Sequence, residues 1–492
     1  MATASAGLRC RPGASDEERR NVLFLAVDDW NDMVGALGDN QAITPNLDRL
    51  AKRGVAFTNA HTPASYCAPS RTALMTGLYP TTTGCYYDEP HMYNCPDVVD
   101  LPAYFRQHGY KVHGGGKLYH HMPGFIDFRG WDHYFIWNEE WKKRGWGLYA
   151  WEGPAPLPPA VPSSPIAKRL VETGKHSAQY LDYAMLPDDA EERMADTQCV
   201  NWAADFLKQD HEKPFFLGVG TFAPHKPNYV PQKYYDLYPP ESITLPPWKA
   251  DDLDDLPPLL KARIERRREK AHDEMVALGE ANNAVRGYLA ALSYADAMMG
   301  RVLDALDSSK YGDNTVVVLW SDNGYHLGEK GCWAKKTLWE RTSNVPFLWA
   351  GPRIPEGVTL DTTVSILDTY PTLVELCGLP RPKLDGSSLA PIFRNPATAK
   401  DRAVLQTHEQ SVSVIDGTWR YTRYETGEEE LYNVRQDPHE WHNLAADPKY
   451  DAIRRQQASH IPPHPAERGK GKKAKTLRLE LDGESFEWVP RE

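Results

Sequence analysis

The sequence predicts an α/β fold, a large and mostly parallel sheet flanked by helices, with a smaller antiparallel sheet after about residue 400. Short continuous apolar runs such as VLFLAV at 22–27 and TVVVLW at 315–320 read as strands buried on both faces, since a strand with one wet face would alternate. Helical stretches lie between them, among them NLDRLAKRG and AVRGYLAALSYADAMMGRVLDALDSS. Beyond residue 400 the pattern shifts to AVLQTH, SVSVID, WRYTRY and ELYNV, separated by Gly and by Asp or Pro turns, which predicts an antiparallel sheet.

Each of the parallel strands ends in residues of catalytic type. Val22–Val27 runs into Asp28-Asp29, and Thr315–Trp320 into Ser321-Asp322-Asn323. Tyr110–His113 leads through three glycines to Lys117, and Phe215–Val219 leads to Ala223-Pro224-His225. In parallel sheets ligands bind beyond the carboxyl ends of strands, so these side chains are expected at one edge. Residues from Asp28 to Lys335 then meet in one site, and most of the chain is one domain over 21–400. It is preceded by a flexible N-terminus over 1–20 and followed by an antiparallel subdomain over 401–460 and a tail over 461–492. The segment 235–275, with its Pro breaks and charge blocks, reads as a surface excursion.

Asp28, Asp29, Asp322 and Asn323 offer only oxygen ligands, a donor set that selects calcium or magnesium over zinc. One such pair alone is an ordinary cap or turn; two pairs after two strands point to a cation. The segment Cys67-Ala68-Pro69-Ser70-Arg71 followed by TALMTG places a cysteine at a helix N-terminus, where anions are favoured. Pro69 suits a first helical position and Ser70 can satisfy first-turn N–H groups, while Arg71, four residues on, shares the face of Cys67.

Composition narrows the rest. A net charge of −11 disfavours nucleic acid and repels an anionic substrate at long range, so attraction has to come from a few convergent cations. No apolar run approaches the ~18 residues of a membrane span, and the N-terminus lacks a secretory pattern, which predicts a soluble protein, cytoplasmic unless a leader was removed to give a periplasmic or secreted one. Seven cysteines show neither zinc spacing nor a disulfide framework, although Cys85 and Cys95 are close enough in sequence to pair. The basic GKGKKAK at 469–475 reads as a solvated tail, and His113, His326 and His408 as structural histidines. Aromatic residues crowd 131–151 (Trp131, Tyr134, Phe135, Trp137, Trp141, Trp146, Tyr149, Trp151), as core packing or as stacking faces for sugar rings.

Taken together, NVLFLAVDDW, the stretch TPNLDRL through CAPSRTALMTGLYPTTTG, GKLYHH, APHKP and SDNGYHLGEKGCWAKKTLWE resemble the formylglycine-dependent sulfatases of the alkaline-phosphatase-like superfamily, over roughly residues 21–445. GK-x-x-H and WAK after LGE-x-G most resemble iduronate-2-sulfatase and its bacterial relatives, with Asn323 where that branch has His. The resemblance implies a mixed, mostly parallel sheet and an enzyme that hydrolyses sulfuric esters, with a sulfated carbohydrate as its substrate. It implies that Cys67 is oxidised to formylglycine by a formylglycine-generating enzyme, and that one calcium ion lies between Asp28, Asp29, Asp322, Asn323 and residue 67. The hydrated aldehyde would attack sulfur, form a covalent sulfo-enzyme and then expel sulfate. Arg71 and Lys117 would hold the nucleophile and the sulfate, Lys335 the leaving-group side, His120 would take the proton that expels sulfate, and His225 would assist the departing alcohol, with His121 and Lys336 as their immediate neighbours. Two other readings share this scaffold: a phosphonate or phosphate ester hydrolase with the same aldehyde, and a catalytically silent protein that binds sulfated glycans.

Overall fold

Strand β1 (Asn21–Val27) is buried at all seven positions, so both of its faces are covered. The structure is a computed structural model that describes residues 19–136, 163–174, 181–473, 476–482 and 485–490. In chain order, the elements that matter for the site are β2 (Gly54–Phe57), α1 (Cys67–Thr76), β3 (Lys111–Gly116), β4 (His133–Phe135) and α2 (Ala195–Leu207). They are followed by β5 (Phe215–Gly220), α3 (Pro258–Ala277), α4 (Ala281–Asp307), β6 (Thr315–Ser321), β7 (Phe347–Ala350) and β8 (Val358–Leu360).

The eight strands form one sheet in the order β8-β2-β7-β6-β1-β5-β3-β4. Every pairing is parallel except those of β7, which runs against β2 and β6. This is the mixed, mostly parallel sheet expected from the uninterrupted apolar runs. Helix α2 packs on β5 and β3 and against α4. Strands β9 (Val404–His408), β10 (Ser411–Ile415), β11 (Trp419–Arg423) and β12 (Glu429–Asn433) form the separate antiparallel sheet.

Two expectations are corrected by packing, and of the two readings of the aromatic cluster core packing holds for its described members. The excursion around 235–275 is not simply a surface loop: Leu253, Leu256, Leu260 and Ile264 bury themselves against Cys332, Trp339 and Tyr432, tying α3 to both sheets' neighbourhoods. The end of the chain is not a solvated tail. Leu479 and Trp488 of the hairpin β13 (Leu477–Asp482) and β14 (Ser485–Pro490) join the main core, Leu477 is buried as well, and Trp488 Nε1 donates to the Ile126 carbonyl at 2.8 Å. Lys473 and Arg468 reach Glu89 at 2.5 and 2.6 Å, because that carboxylate is buried and requires counter-charges. Trp131 and Tyr134 are core residues in edge contact with each other, not an exposed wall; Trp137, Trp141, Trp146, Tyr149 and Trp151 lie outside the described residues.

Cys85 and Cys95 are free thiols in hydrogen-bond contact with each other. His326 bonds Thr337 at 2.8 Å and His408 bonds Arg263 at 3.0 Å, in keeping with structural roles. Among the described residues no helix is long and apolar enough to cross a membrane.

Candidate active site

Parallel register brings the strand ends abreast. Ala26 pairs with Gly220, Gly220 with Gly116, and Val27 with Ser321, so the residues that follow each strand emerge at one edge. Gly116 has a φ of +70°, and a Cβ there would sit 1.9 Å from the Gly220 carbonyl oxygen. Glycine at this position lets the backbone turn sharply, directing Lys117 into the site.

Asp28, Asp29, Cys67 and His225 present ligand atoms within 4.8 Å of one another. The Cys67 Sγ lies 3.5 Å from Asp28 Oδ1, 3.7 Å from Asp29 Oδ1, 2.8 Å from Lys335 Nζ and 4.0 Å from Lys117 Nζ. Burial, then the Asp322 charge, pushes the Cys67 thiol well above its ordinary range, and the two lysines do not reverse this. A protonated thiol is a poor nucleophile, so this cysteine is not arranged to act as a thiolate. Burial also opposes ionisation of Asp28 and Asp29. Lys117 beside the first and Lys335 beside the second, each with His225, nevertheless hold both below the usual carboxylate range.

Two local assignments differ from the helical reading of CAPSR. Cys67 itself opens α1, with Tyr66 as the preceding cap residue, and Pro69 is third in the helix. Ser70 does not cap; its hydroxyl donates to the Asp322 carbonyl at 2.5 Å. Arg71 is spent on the frame: its Nε donates to Asp322 Oδ2 at 2.7 Å, and its Nη groups to Asp28 Oδ1 at 3.3 Å, the Val27 carbonyl at 3.2 Å and the Lys117 carbonyl. It binds three strand ends together, a role a fixed five-donor fork fills well.

The donor set suits a hard cation. Asn323 donates through Nδ2 to Asp29 Oδ1 at 2.7 Å, while its Oδ1 is buried without a hydrogen-bond partner among the described residues. An orphaned amide oxygen on a residue that touches Asp29 is a ligand that a calcium or magnesium ion takes. Charges in this buried pocket balance: three carboxylates face Arg71, Lys117 and Lys335, with Lys117 paired to Asp28 and Lys335 to Asp29.

The histidines differ in placement. His225 Nδ1 lies 2.5 Å from the Lys226 carbonyl, which can only accept, so that nitrogen carries the proton and Nε2 faces Asp29 Oδ2 at 3.7 Å. Burial lowers its pKa to about 4, with Asp29 opposing and Lys335 and Lys117 assisting. His120 Nε2 bonds the Tyr66 hydroxyl at 3.1 Å rather than Cys67, and burial, then His121, holds it neutral.

Sequence reasoning missed three positioning residues. The Tyr288 hydroxyl on α4 donates to the Asp29 carbonyl at 2.7 Å, fixing a residue held at φ +61°. Tyr66 links Cys67 to His120. Asp196 on α2 accepts from the amides of Phe222 and Ala223 at 2.9–3.0 Å, setting the loop that carries His225. Replacing Asp196 by alanine orphans those amides, so Asp196→Ala should cost roughly 1–3 kcal/mol in stability and lower turnover without weakening cation binding. Thermal melting and calcium titration check this, and an unchanged melting midpoint would refute it.

Residues 20–379 match the sulfatase family profile. The chain belongs to the sulfatase family. It is a sulfuric ester hydrolase, and its residues 328–463 also match the profile described as N-sulphoglucosamine sulphohydrolase, C-terminal. The sulfatase is 38% identical to a sulfatase of Formosa agariphila over 451 residues, covering 88% of this chain and 84% of the relative. It is 30% identical to the iduronate 2-sulfatase of Mus musculus, covering 75% and 71%. The solved structure of a 2-O GAG sulfatase shares the fold, with a TM-score of 0.66 at 22% identity over 90% of each chain.

Proposed function

We propose that this sulfatase releases sulfate from a sulfated carbohydrate, using formylglycine made from Cys67 and one calcium ion held by Asp28, Asp29, Asp322, Asn323 and residue 67. The observation that carries the reading is the Cys67 environment: a fully buried sulfur pressed between two carboxylates and two lysines, where burial pushes the thiol pKa up. A structural cysteine has no use for such surroundings, and a thiolate nucleophile would be suppressed by them. The sugar sulfates named in the iduronate 2-sulfatase and the GAG sulfatase support a carbohydrate substrate. Maturation then requires a formylglycine-generating enzyme as partner.

Hydrated formylglycine supplies an oxygen nucleophile, and the cation, when present, stabilises its negative charge. Lys117 and Lys335 flank residue 67 and are placed to hold the sulfate oxygens, in a buried setting where each contact counts for more than in water. Arg71 fixes the acids. His225, its Nδ1 committed to the Lys226 carbonyl, offers Nε2 toward the leaving oxygen, and neutral His120, joined to Tyr66, serves as the base that completes turnover.

Sulfate release from defined sulfated saccharides, measured beside aryl sulfates and phosphate and phosphonate esters, tests the reading. Saccharide sulfates should be the better substrates; faster cleavage of the phosphorus esters would overturn it, and no cleavage of any ester would favour a silent binding protein. If His225 assists departure of the alcohol, His225→Ala should slow saccharide sulfates by ~10²–10⁴ and aryl sulfates, whose phenolate leaves unaided, far less. Equal losses on both would show that His225 has another task.

A further inference from the structure

A second group of metal-type donors lies outside the reactive centre. His91 of the short helix His91–Asn94, Asp100 before the helix Leu101–Gln107 and Asp127 before the turn Phe128–Gly130 present ligand atoms within 4.8 Å of one another. All three are buried, at 1%, 1% and 4% exposure. His91 Nε2 stands 3.8 Å from Asp100 Oδ2 and 3.8 Å from Asp127 Oδ2, and neither ring nitrogen of His91 has a hydrogen-bond partner among the described residues.

An ion pair does not account for this meeting. Burial holds His91 down to about 4 although Asp127 opposes it, so the ring is neutral and carries a free lone pair. Burial, then the Asp127 charge, pushes the Asp100 carboxyl up to about 7, as happens when two acids crowd together. Arg129 chelates Asp127 through Nε at 2.8 Å and Nη2 at 2.6 Å, but from a side chain 65% exposed, and among the described residues no lysine or arginine pairs with Asp100. Distance separates the remaining readings. A gap of 3.8 Å is too long for a direct hydrogen bond. A water bridging two such atoms by bonds of about 2.8 Å at a tetrahedral angle holds them about 4.6 Å apart, whereas two metal bonds of about 2.1 Å hold theirs about 3.4 Å apart. The observed spacing lies nearer the second.

We propose that His91 Nε2, Asp100 and Asp127 bind a second divalent cation, of the zinc type, apart from the reactive pocket. The imidazole nitrogen disfavours calcium and magnesium, the two carboxylates disfavour a soft ion such as copper(I), and three protein ligands leave one tetrahedral position for a water. Both acids are oriented by their other oxygen: Asp100 Oδ1 accepts from the Ala103 amide and Asp127 Oδ1 from the Arg129 amide, each at 3.1 Å, which turns the two Oδ2 atoms toward His91. The role is structural. Asp100 Oδ2 also accepts from the Tyr119 hydroxyl at 2.6 Å, and Tyr119 lies between Lys117 and His120 in the chain. The ion therefore joins three separate turns to the segment that carries both of those residues, without touching a reacting atom.

The test uses the full chain, stripped by chelation and then given calcium in excess, so that a hard-cation site is filled before zinc is added. Elemental analysis should find about one equivalent of zinc per chain, with a rise in melting midpoint of roughly a few degrees. His91→Ala and Asp127→Asn should each abolish both. The second keeps an amide oxygen for the Arg129 N–H, so the comparison stands even where His91→Ala fails to fold. His91→Cys, which supplies a thiolate, should retain zinc. Cobalt(II) in place of zinc should give visible ligand-field absorption that disappears in Asp127→Asn. No zinc uptake by the wild-type chain, uptake unchanged in Asp127→Asn, or zinc-edge anomalous scattering away from His91 overturns the site.

Discussion

Cys67→Ala is expected to abolish sulfate release, by a factor on the order of 10⁴ or more, while the fold survives. The substitution removes one sulfur atom from a pocket whose frame is built by other groups: Arg71 to Asp322 and Asp28, Ser70 to the Asp322 carbonyl, and Tyr288 to Asp29. Loss of packing around a single buried atom should cost about 1 kcal/mol, a small shift in the melting midpoint. In active wild-type enzyme, the peptide containing residue 67 should have the mass of the aldehyde, and the denatured protein should react with a hydrazide probe. A fully active preparation carrying only the thiol would remove formylglycine from the mechanism.

Exhaustive chelation should lower turnover on the order of 10³-fold or more, the several kcal/mol a Lewis acid supplies. Calcium or magnesium should restore it; zinc should not, because the ligand set offers oxygen alone. Binding can be read without activity: a cation at about 100 times its dissociation constant adds ~2.7 kcal/mol, visible as a rise in melting midpoint that Asp28→Asn and Asp322→Asn should remove. The rise should depend on pH in a fixed direction. Asp28 and Asp29 are held below the usual carboxylate range in the folded chain, so what they contribute is present above their unfolded pKa near ~3.9. It is lost as pH falls through the folded values. Full activity after chelation, or a zinc-specific stabilisation that Asp28→Asn removes, would contradict the assignment.

The strand ends were legible because a strand buried on both faces leaves an unbroken apolar run, and Asp28, His225 and Asp322 each follow one, while Lys117 was marked by the three glycines before it. The partners of Ser70 and Arg71 were not. Both reach Asp322, some 250 residues away, and local rules see only the helix start. Tyr288 and Asp196 lie within helices whose buried positions are mostly apolar, and nothing nearby in sequence marks a hydroxyl aimed at Asp29 or a carboxylate aimed at the Phe222 amide. The basic run at 469–475 looked solvated because composition cannot register a buried Glu89 waiting across the fold. Lys335 and Lys336 look equivalent as neighbours; a positive φ separates their destinations.

The burial of α1 sets a deadline. Every residue from Cys67 to Thr76 is buried in the finished protein, and Cys67 is 0% exposed. A maturation enzyme has to thread this segment through its own active site, so on the formylglycine reading it can act only while the segment is still extended. Folding and oxidation therefore race for the same ten residues, and a molecule that closes first is left as an inert thiol that no later encounter can repair. The fraction of active enzyme in a preparation would then report how slowly its parallel strands assemble relative to the supply of the modifying enzyme, a kinetic property invisible in any equilibrium measurement of the folded chain.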